Sequence, residues 1–293
     1  MIGNKDKCMN PLLLKAIQDL PPLPSTVTEL RNYIDSNGAN LEIKKIATII
    51  QKDPLLVAEL LRLANSPFYG FSRQVSTIQQ VISLLGINNI KNVVLANSIK
   101  STFTIDVSPY GLDTADFLNN CSKEVDFISN WLKEEDKALA NTLVPCAMLL
   151  RLGMILLSDI LIRSNKDKEF LAENKAHNFQ DIHEVENHYC GVDSVSFLGF
   201  LFDYWKFDEI LIQSISYIDT PHAATDETKK NAYALAITNC LFEPYAPLNH
   251  FNSKKAIALL NEAKTQNINF NMENFLANLP KEAKDNLAQE LES

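Results

Sequence analysis

The sequence lacks paired cysteines and phosphate-binding glycine loops, and each absence argues against a class of protein. The five cysteines among the 293 residues are odd in number, widely separated and without a CxxC pair, so neither a zinc ribbon nor a redox motif is expected. They are typical of reduced thiols in a cytosolic protein. The eight glycines form neither GxGxxG nor a Walker pattern, and no GxSxG nucleophile elbow is present.

We expect neither a leader segment nor a membrane span, and basic residues are not in excess. The sequence begins with Met1–Lys7 and no apolar stretch follows, so we expect no secretory signal. The most apolar segment, Val144–Leu157, carries Arg151 and is shorter than the roughly 20 residues that cross a bilayer. Lys and Arg total 27 against 36 Asp and Glu, which disfavours general nucleic-acid binding. We therefore expect a cytoplasmic protein with neither a membrane nor a nucleic acid as its partner.

Helical periodicity dominates the chain, and strand-like alternation is nearly absent, so the predicted fold class is all-α. Asp53 followed by Pro54 predicts a capped helix start, and Gly86 predicts a helix end. Capping boxes are predicted at Thr26 with Glu29 and at Ser76 with Gln79. A helix is expected from about Asn89, and apolar spacing predicts another through Phe117, Cys121, Val125, Ile128 and Leu132. Further helices are predicted over Asn141–Arg163, Ile182–Tyr189, Val195–Trp205, Glu209–Ile218, Lys229–Phe242, Lys254–Lys264 and Pro280–Leu291.

Two polar segments invite a chemical interpretation. His183 and His188 flank acidic residues in a run that superficially resembles a zincin motif, but zinc binding on a helix needs histidines four residues apart and these are five apart. We interpret this run as a solvated polar helix. The acidic cluster Glu134–Asp136 is interpreted as a solvated turn.

Longer stretches resemble a known family. Residues Leu20 to Phe103 contain LPPLPSTVTEL and IIQKDPLLVAELLRLANSPFYGFSRQVSTIQQVISLLGINNIKNVVLANS, which closely resemble the HDOD family of bacterial signalling domains, relatives of the HD phosphohydrolases. The second half resembles the family more weakly, through AMLLRLGMILL and through GVDSVSFLGFLFDYWKFDEILIQSISYID, in which Trp205 stands in the usual place. The resemblance extends to about Asp219.

The resemblance implies a multi-helix HDOD domain over residues 15–219. Its N-terminal half would end near residue 106 and its HD-like half would begin near residue 112, because Pro109 and Gly111 break the periodicity between them. Residues 220–293 are expected to form a C-terminal helical extension that either covers the HD-like half or provides a dimer contact. HDOD relatives occur in bacterial regulatory and chemotaxis-linked systems.

The resemblance also implies the loss of a metal site. HD phosphohydrolases use histidines and aspartates from several helices to hold metal ions that activate a water, yet this sequence contains no His-Asp dipeptide. Leucine has no ligand atom and arginine repels a divalent cation, so we expect no metal, no cofactor and no catalytic residue. By alignment the ligand positions, which would form the candidate pocket, are occupied by Cys121, Leu150, Arg151, Ser194, Ile218 and Asp219.

Two features carry open alternatives. Arg151 either binds a phosphate or carboxylate ligand, or pairs with a neighbouring acid or extends to solvent. If it binds an anion, Arg151→Met should abolish binding with little change in thermal stability. The connector after Asn65, which is expected to end its helix by bonds to backbone, either packs over adjacent helices or forms an interaction loop. The residues of that candidate loop are Phe68, Tyr69, Phe71 and Arg73.

Two functions remain in view. The preferred one is a non-enzymatic signal-transduction module whose helical surface, together with the ancestral cavity, recognises a signalling protein, with a small-molecule nucleotide as an optional ligand. The alternative is a degenerate phosphohydrolase that binds a nucleotide or cyclic dinucleotide, with Cys121, Asp219 and His222 converging. The sequence does not identify the partner, the input signal or the oligomeric state.

Overall fold

The computed structural model describes residues 11–20, 23–38, 40–66, 69, 74–243 and 251–292. In these residues the protein is all-helical with no strand, which confirms the predicted fold class. Short 3-10 turns occur at Ser108–Tyr110 and Pro221–Ala223. The helices are α1 (Pro11–Gln18), α2 (Ser25–Asn37), α3 (Ile43–Ile50), α4 (Pro54–Ala64), α5 (Ile78–Leu85), α6 (Ile87–Lys100), α7 (Thr114–Glu135), α8 (Lys137–Leu149), α9 (Leu152–Arg163), α10 (Asp167–Ala176), α11 (Ile182–Cys190), α12 (Ser194–Tyr204), α13 (Glu209–Ser216), α14 (Lys229–Leu241), α15 (Ser253–Thr265), α16 (Met272–Asn278) and α17 (Lys281–Glu292).

The predicted cap of α4 is confirmed. The Asp53 carboxylate accepts the backbone N–H groups of Leu55 and Leu56, and Pro54 occupies the first turn. At the other end of α4, the Asn65 side chain donates to the Leu61 carbonyl at 2.8 Å, as expected for a residue that ends a helix. The Asn65 side chain also donates to the Val75 carbonyl and accepts the Val75 N–H, both at 2.8 Å. These two hydrogen bonds hold Asn65 and Val75 together across the connector between α4 and α5.

The two predicted capping boxes are wrong. The box before α5 is formed by Thr77 with Gln80, one residue after the predicted pair, because the helix begins at Ile78. α2 begins at Ser25 without a side-chain cap, since Thr26 lies buried inside its first turn. Glu29 pairs instead with Lys52 at 2.6 Å and links α2 to the end of α3.

The two halves of the domain pack directly on each other. Arg31 of α2 donates to the backbone carbonyls of Trp205 and Lys206 at the end of α12, where a cation also complements the helix dipole. Lys91 pairs with Asp208, which also accepts the Asn92 amide at 2.7 Å. The connector between the halves is itself anchored, because Val107 and Tyr110 are buried in the core.

The predicted single helix Asn141–Arg163 is wrong, because the chain breaks at Leu150 and Arg151 into α8 and α9. Arg151 has φ −97° and ψ 8°, outside the helical geometry, and its side chain turns towards other helices. The stretch Lys137–Arg163 is long and apolar enough to cross a membrane, but 78% of its most apolar window is buried inside the protein. It forms the core of a soluble helical domain.

Because α9 and α12 approach closely at Gly153, adding one methyl group there is expected to destabilise the fold strongly. A Cβ atom added at Gly153 would overlap the Ser194 backbone carbonyl, which no side-chain rotation can relieve. We expect Gly153→Ala to lower the free energy of unfolding by about 3 kcal/mol or more, measured by denaturant unfolding. Gly199→Ala is the control, since its Cβ would meet the movable Ser216 side chain at 3.3 Å. Equal stability of the two variants would contradict this packing.

The C-terminal residues cover the HD-like half, the first of the two roles that the sequence left open. α14 is buried along almost its whole length, including Ala232–Thr238. α16 inserts Phe275 against Phe127 and Trp131 of α7, at ring-centroid distances of 5.7 and 5.4 Å. α14 and α16 therefore belong to the core of the domain.

Candidate functional site

Arg151 stands at the break between α8 and α9 and joins three parts of the chain. Its Nε donates to Glu124 Oε1 of α7 at 2.7 Å, and its Nη1 donates to Asn239 Oδ1 at 2.7 Å. Its Nη2 donates to the backbone carbonyls of Asn239 and Phe242 at 3.1 and 3.0 Å. The side chain is 7% exposed. Arg151 thus pairs with a neighbouring acid and caps the C-terminal end of α14, where a cation is favoured.

Glu124 is the partner that the sequence analysis missed. Its side chain is fully buried, and Oε2 has no hydrogen-bond partner among the described residues. Burial raises the pKa of Glu124, and the positive charge of Arg151 opposes that rise. A signal was present, because position 124 lies on the same helical face as Cys121, Val125 and Ile128. An acid on an apolar face indicates a buried partner of opposite charge.

A cavity of about 590 Å³ opens beside Arg151, between α11, α13 and the C-terminal helices α14 and α15. This volume is typical of small-molecule sites. Of the predicted pocket residues, Arg151, Ile218 and Asp219 line it together. The other described residues that line it are Asn178, Phe179, Gln180, Ile182, His183, Pro221, Ala236, Asn239, Cys240, Glu243, Asn252, Lys255 and Leu259.

The other predicted pocket residues lie elsewhere around Arg151. Cys121 lines a separate, mostly apolar cleft together with Glu124 and Arg151, and burial raises the pKa of its thiol. Leu150 is buried in the core. Ser194 is buried at the start of α12, where its backbone N–H and hydroxyl both bind Glu186. The positions that the HD resemblance assigns to metal ligands are therefore distributed over a cavity, a cleft and the core.

The interpretation of the His183–His188 run as a solvated helix is wrong for Glu186, which is fully buried. One of its oxygens accepts the Tyr110 hydroxyl at 2.8 Å. The other accepts the Ser194 N–H at 2.8 Å and the Ser194 hydroxyl at 3.0 Å, and lies 3.3 Å from His183 Nδ1. A buried carboxylate is stable here because both oxygens are bonded. Glu186 of α11 thereby holds the segment between the two halves, through Tyr110, and the start of α12, through Ser194.

His183 is half-buried and reaches the cavity wall, whereas His188 is exposed and lies 3.6 Å from Glu173. The hydrogen bond to Glu186 raises the pKa of His183 above its ordinary value, against the opposing effect of burial. His183 is therefore protonated to a greater extent near neutral pH than a solvent-exposed histidine. The two histidines face different surroundings and do not form a zinc site.

The donor atoms do not fit the metal centre of an HD phosphohydrolase. Leu150 and Ile218 offer no ligand atom, the Ser194 hydroxyl is bonded to Glu186, and Arg151 places a permanent cation among them. In the part of the chain that the structure describes, no group of three or more His, Cys, Asp or Glu side chains is arranged to hold a metal ion. No reaction step through a metal can be derived from these residues.

The candidate interaction loop is described at one residue. Tyr69 is buried and its pKa is raised by burial. Phe68, Phe71 and Arg73 lie outside the described residues.

The fold and the site define an all-helical domain in which a buried arginine occupies a position that the HD resemblance assigns to a metal ligand. The chain belongs to the HDOD domain family, which matches residues 20–221. That match ends before α14, although α14 supplies the carbonyl groups that Arg151 binds.

Three comparisons place the chain among known proteins. A virulence factor from Campylobacter jejuni subsp. jejuni, solved as a crystal structure, is 55% identical over 94% of this chain and 96% of that chain, with a TM-score of 0.61. A protein of Shewanella amazonensis SB2B, provisionally described as a phosphohydrolase, is 23% identical over 90% of this chain and 91% of that chain, with a TM-score of 0.63, and shows the fold alone. An uncharacterized protein of Treponema pallidum (strain Nichols) is 29% identical over 77 residues, which are 26% of this chain and 15% of the length of that relative.

Proposed function

We propose that this protein is a non-enzymatic signal-transduction module of the bacterial cytoplasm that acts by recognising another protein. The position of Arg151 supports this proposal. A position that the HD resemblance assigns to a metal ligand holds a cation, and that cation is bonded to Glu124 and to the end of α14. Membership of the HDOD family supports a regulatory role.

Hydrolysis of a phosphate ester by an HD-type mechanism needs a metal-bound water and a clamp on the phosphate oxygens. Arg151 cannot serve as that clamp in this arrangement, because its donors are directed at Glu124, Asn239 and Phe242. Releasing them would leave a buried carboxylate and two backbone carbonyls without partners, which is costly. The residues therefore favour a structural role for Arg151 over phosphate binding.

The proposal predicts that the purified chain does not hydrolyse phosphate esters. We expect no turnover of bis(p-nitrophenyl) phosphate, p-nitrophenyl phosphate or a cyclic dinucleotide above the blank with added Mg²⁺, Mn²⁺, Fe²⁺ or Zn²⁺. The measurement is release of the product over several hours at micromolar protein. Turnover that copurifies with the folded protein and is abolished by a chelator would overturn the proposal and favour the degenerate phosphohydrolase.

A further inference from the structure

The cavity beside Arg151 carries charged groups that neither the buried network nor the proposed recognition of a protein explains. Asp219 lines the cavity and is exposed to it, and the structure gives it neither a hydrogen bond nor an ion pair with any described residue. Lys255 lines the same cavity, lies in the first turn of α15 and is 58% exposed. Burial raises the pKa of Asp219, and the positive charges of His183 and Lys255 oppose that rise. A carboxylate and an ammonium group are thus presented to one space.

The wall around Lys255 favours a carboxylate. Asn252 precedes α15, caps it by accepting the Lys255 N–H and lines the cavity, so the positive end of the helix dipole lies at the wall. Lys255 pairs with Glu243 at 2.6 Å, which engages one of its three N–H donors. The remaining donors and the helix start can receive one negative group.

The cavity as a whole does not favour a multiply charged anion. Asp219 and Glu243 line it, and Glu124 and Glu186 lie behind Arg151 and His183. Among the described residues, these four carboxyl groups, two on the wall and two behind it, accompany two cations, Arg151 and Lys255, and one further basic group, His183. A nucleotide phosphate carries several negative charges and would find no excess of positive charge here. A ligand with one positive and one negative charge would find an oppositely charged side chain for each of them.

Apolar side chains complete the wall between the charged groups. They come from the segment before α11, from α11 itself, from the segment after α13 and from α15, and they comprise Phe179, Ile182, Ile218, Pro221 and Leu259. Small-molecule sites combine such apolar walls with a few polar groups that fix the orientation of the ligand.

We infer that this cavity binds a small zwitterion, namely an α-amino acid with an apolar side chain. Asp219 receives its ammonium group, Lys255 with the start of α15 receives its carboxylate, and the apolar wall receives its side chain. The inference builds on the proposed function, because it gives the signalling module a chemical input. It makes the cavity formed with α14 and α15 the sensing site of the protein.

The first experiment measures thermal stability of the full chain with L-leucine, L-isoleucine, L-valine, L-methionine and L-phenylalanine, each up to millimolar concentration. A ligand that binds the folded state raises the melting temperature by mass action. We expect at least one of the five to raise it in a saturable manner, and AMP and inorganic phosphate to leave it unchanged. No shift with any of the five, or a larger shift with AMP, would overturn the inference.

Isothermal titration calorimetry of variants, with the amino acid that binds best, then tests which side chain binds the ammonium group and which binds the carboxylate. Asp219→Asn and Lys255→Met should each weaken binding by roughly tenfold or more, whereas Asp203→Asn, an exposed acid on α12 outside the cavity, should not. The N-acetyl derivative lacks the ammonium group, so its weak binding should be the same for wild type and Asp219→Asn. The amide derivative should likewise not distinguish wild type from Lys255→Met.

Unchanged affinity in both variants would place the ligand elsewhere and overturn the assignment. The proposed function fails by a different observation, namely phosphate-ester turnover. A chain that neither hydrolyses phosphate esters nor binds amino acids would therefore refute this inference alone.

Discussion

Replacing Arg151 with methionine is expected to lower the free energy of unfolding by roughly 3–5 kcal/mol, the range found when one partner of a buried ion pair is removed. Glu124 would be left fully buried without its cation, and the carbonyl groups of Asn239 and Phe242 would lose their donor. This expectation replaces the sequence-based one, in which Arg151→Met left stability nearly unchanged. The structure supports the larger effect because Arg151 binds the protein itself.

The measurement is denaturant unfolding followed by circular dichroism, with two controls. Arg62→Met removes an arginine that is 74% exposed and pairs with Glu59 on the same helix, so a change within about 0.5 kcal/mol is expected. The double variant Glu124→Leu with Arg151→Met removes both charges and should be more stable than Arg151→Met alone. A fully stable Arg151→Met variant would show that the buried pair is not formed.

The second large effect is expected from removing the C-terminal helices. A chain that ends at Pro221, where the family match stops, lacks α14–α17. It would expose the faces of α7 and α8 that α14 covers, together with the aromatic rings of Phe127 and Trp131. Burial of such side chains contributes about 1.5–3 kcal/mol each, so losing many of them exceeds the usual stability of a domain. We expect this truncated chain to aggregate or to show no cooperative melting transition.

Soluble yield, dye binding to exposed apolar surface and thermal melting test this expectation. The matched control ends at Leu279 and removes α17, whose residues up to Asp285 are mostly exposed apart from Ala283. That control should stay soluble and melt cooperatively, with a lower melting temperature because the Lys123–Glu282 pair and the Ala283 contact are lost. A chain ending at Pro221 that melts like the full chain would mean that residues 222–293 form a separable extension.

Local rules predicted much of the fold because many helix boundaries are local events. The start of α4 follows from Asp53 and Pro54, and the end of α5 follows from Gly86, which adopts φ +83°. The predicted helices in the second half agree with α11–α15 and α17 to within two residues at each end. α10 and α16 were not predicted, because α10 is mostly polar and α16 spans seven residues.

The candidate site could not be predicted from local rules because distant residues create it. The break at Arg151 lies in a continuous apolar run that predicts an unbroken helix, and it occurs where the guanidinium meets Glu124 and α14. Glu186 looks solvated in its own segment and is buried because Tyr110 and Ser194 supply its donors. The alignment to HD enzymes pointed to Arg151, but not to Glu124, the buried acid with which it pairs.

The metal content per chain tests whether the HD-type positions hold a metal centre. The protein should be purified without chelators and without an affinity tag that binds metal, and then analysed by inductively coupled plasma mass spectrometry. We expect a content near zero for every transition metal. About one or two tightly held ions per folded chain would contradict it and would make the phosphohydrolase the leading function.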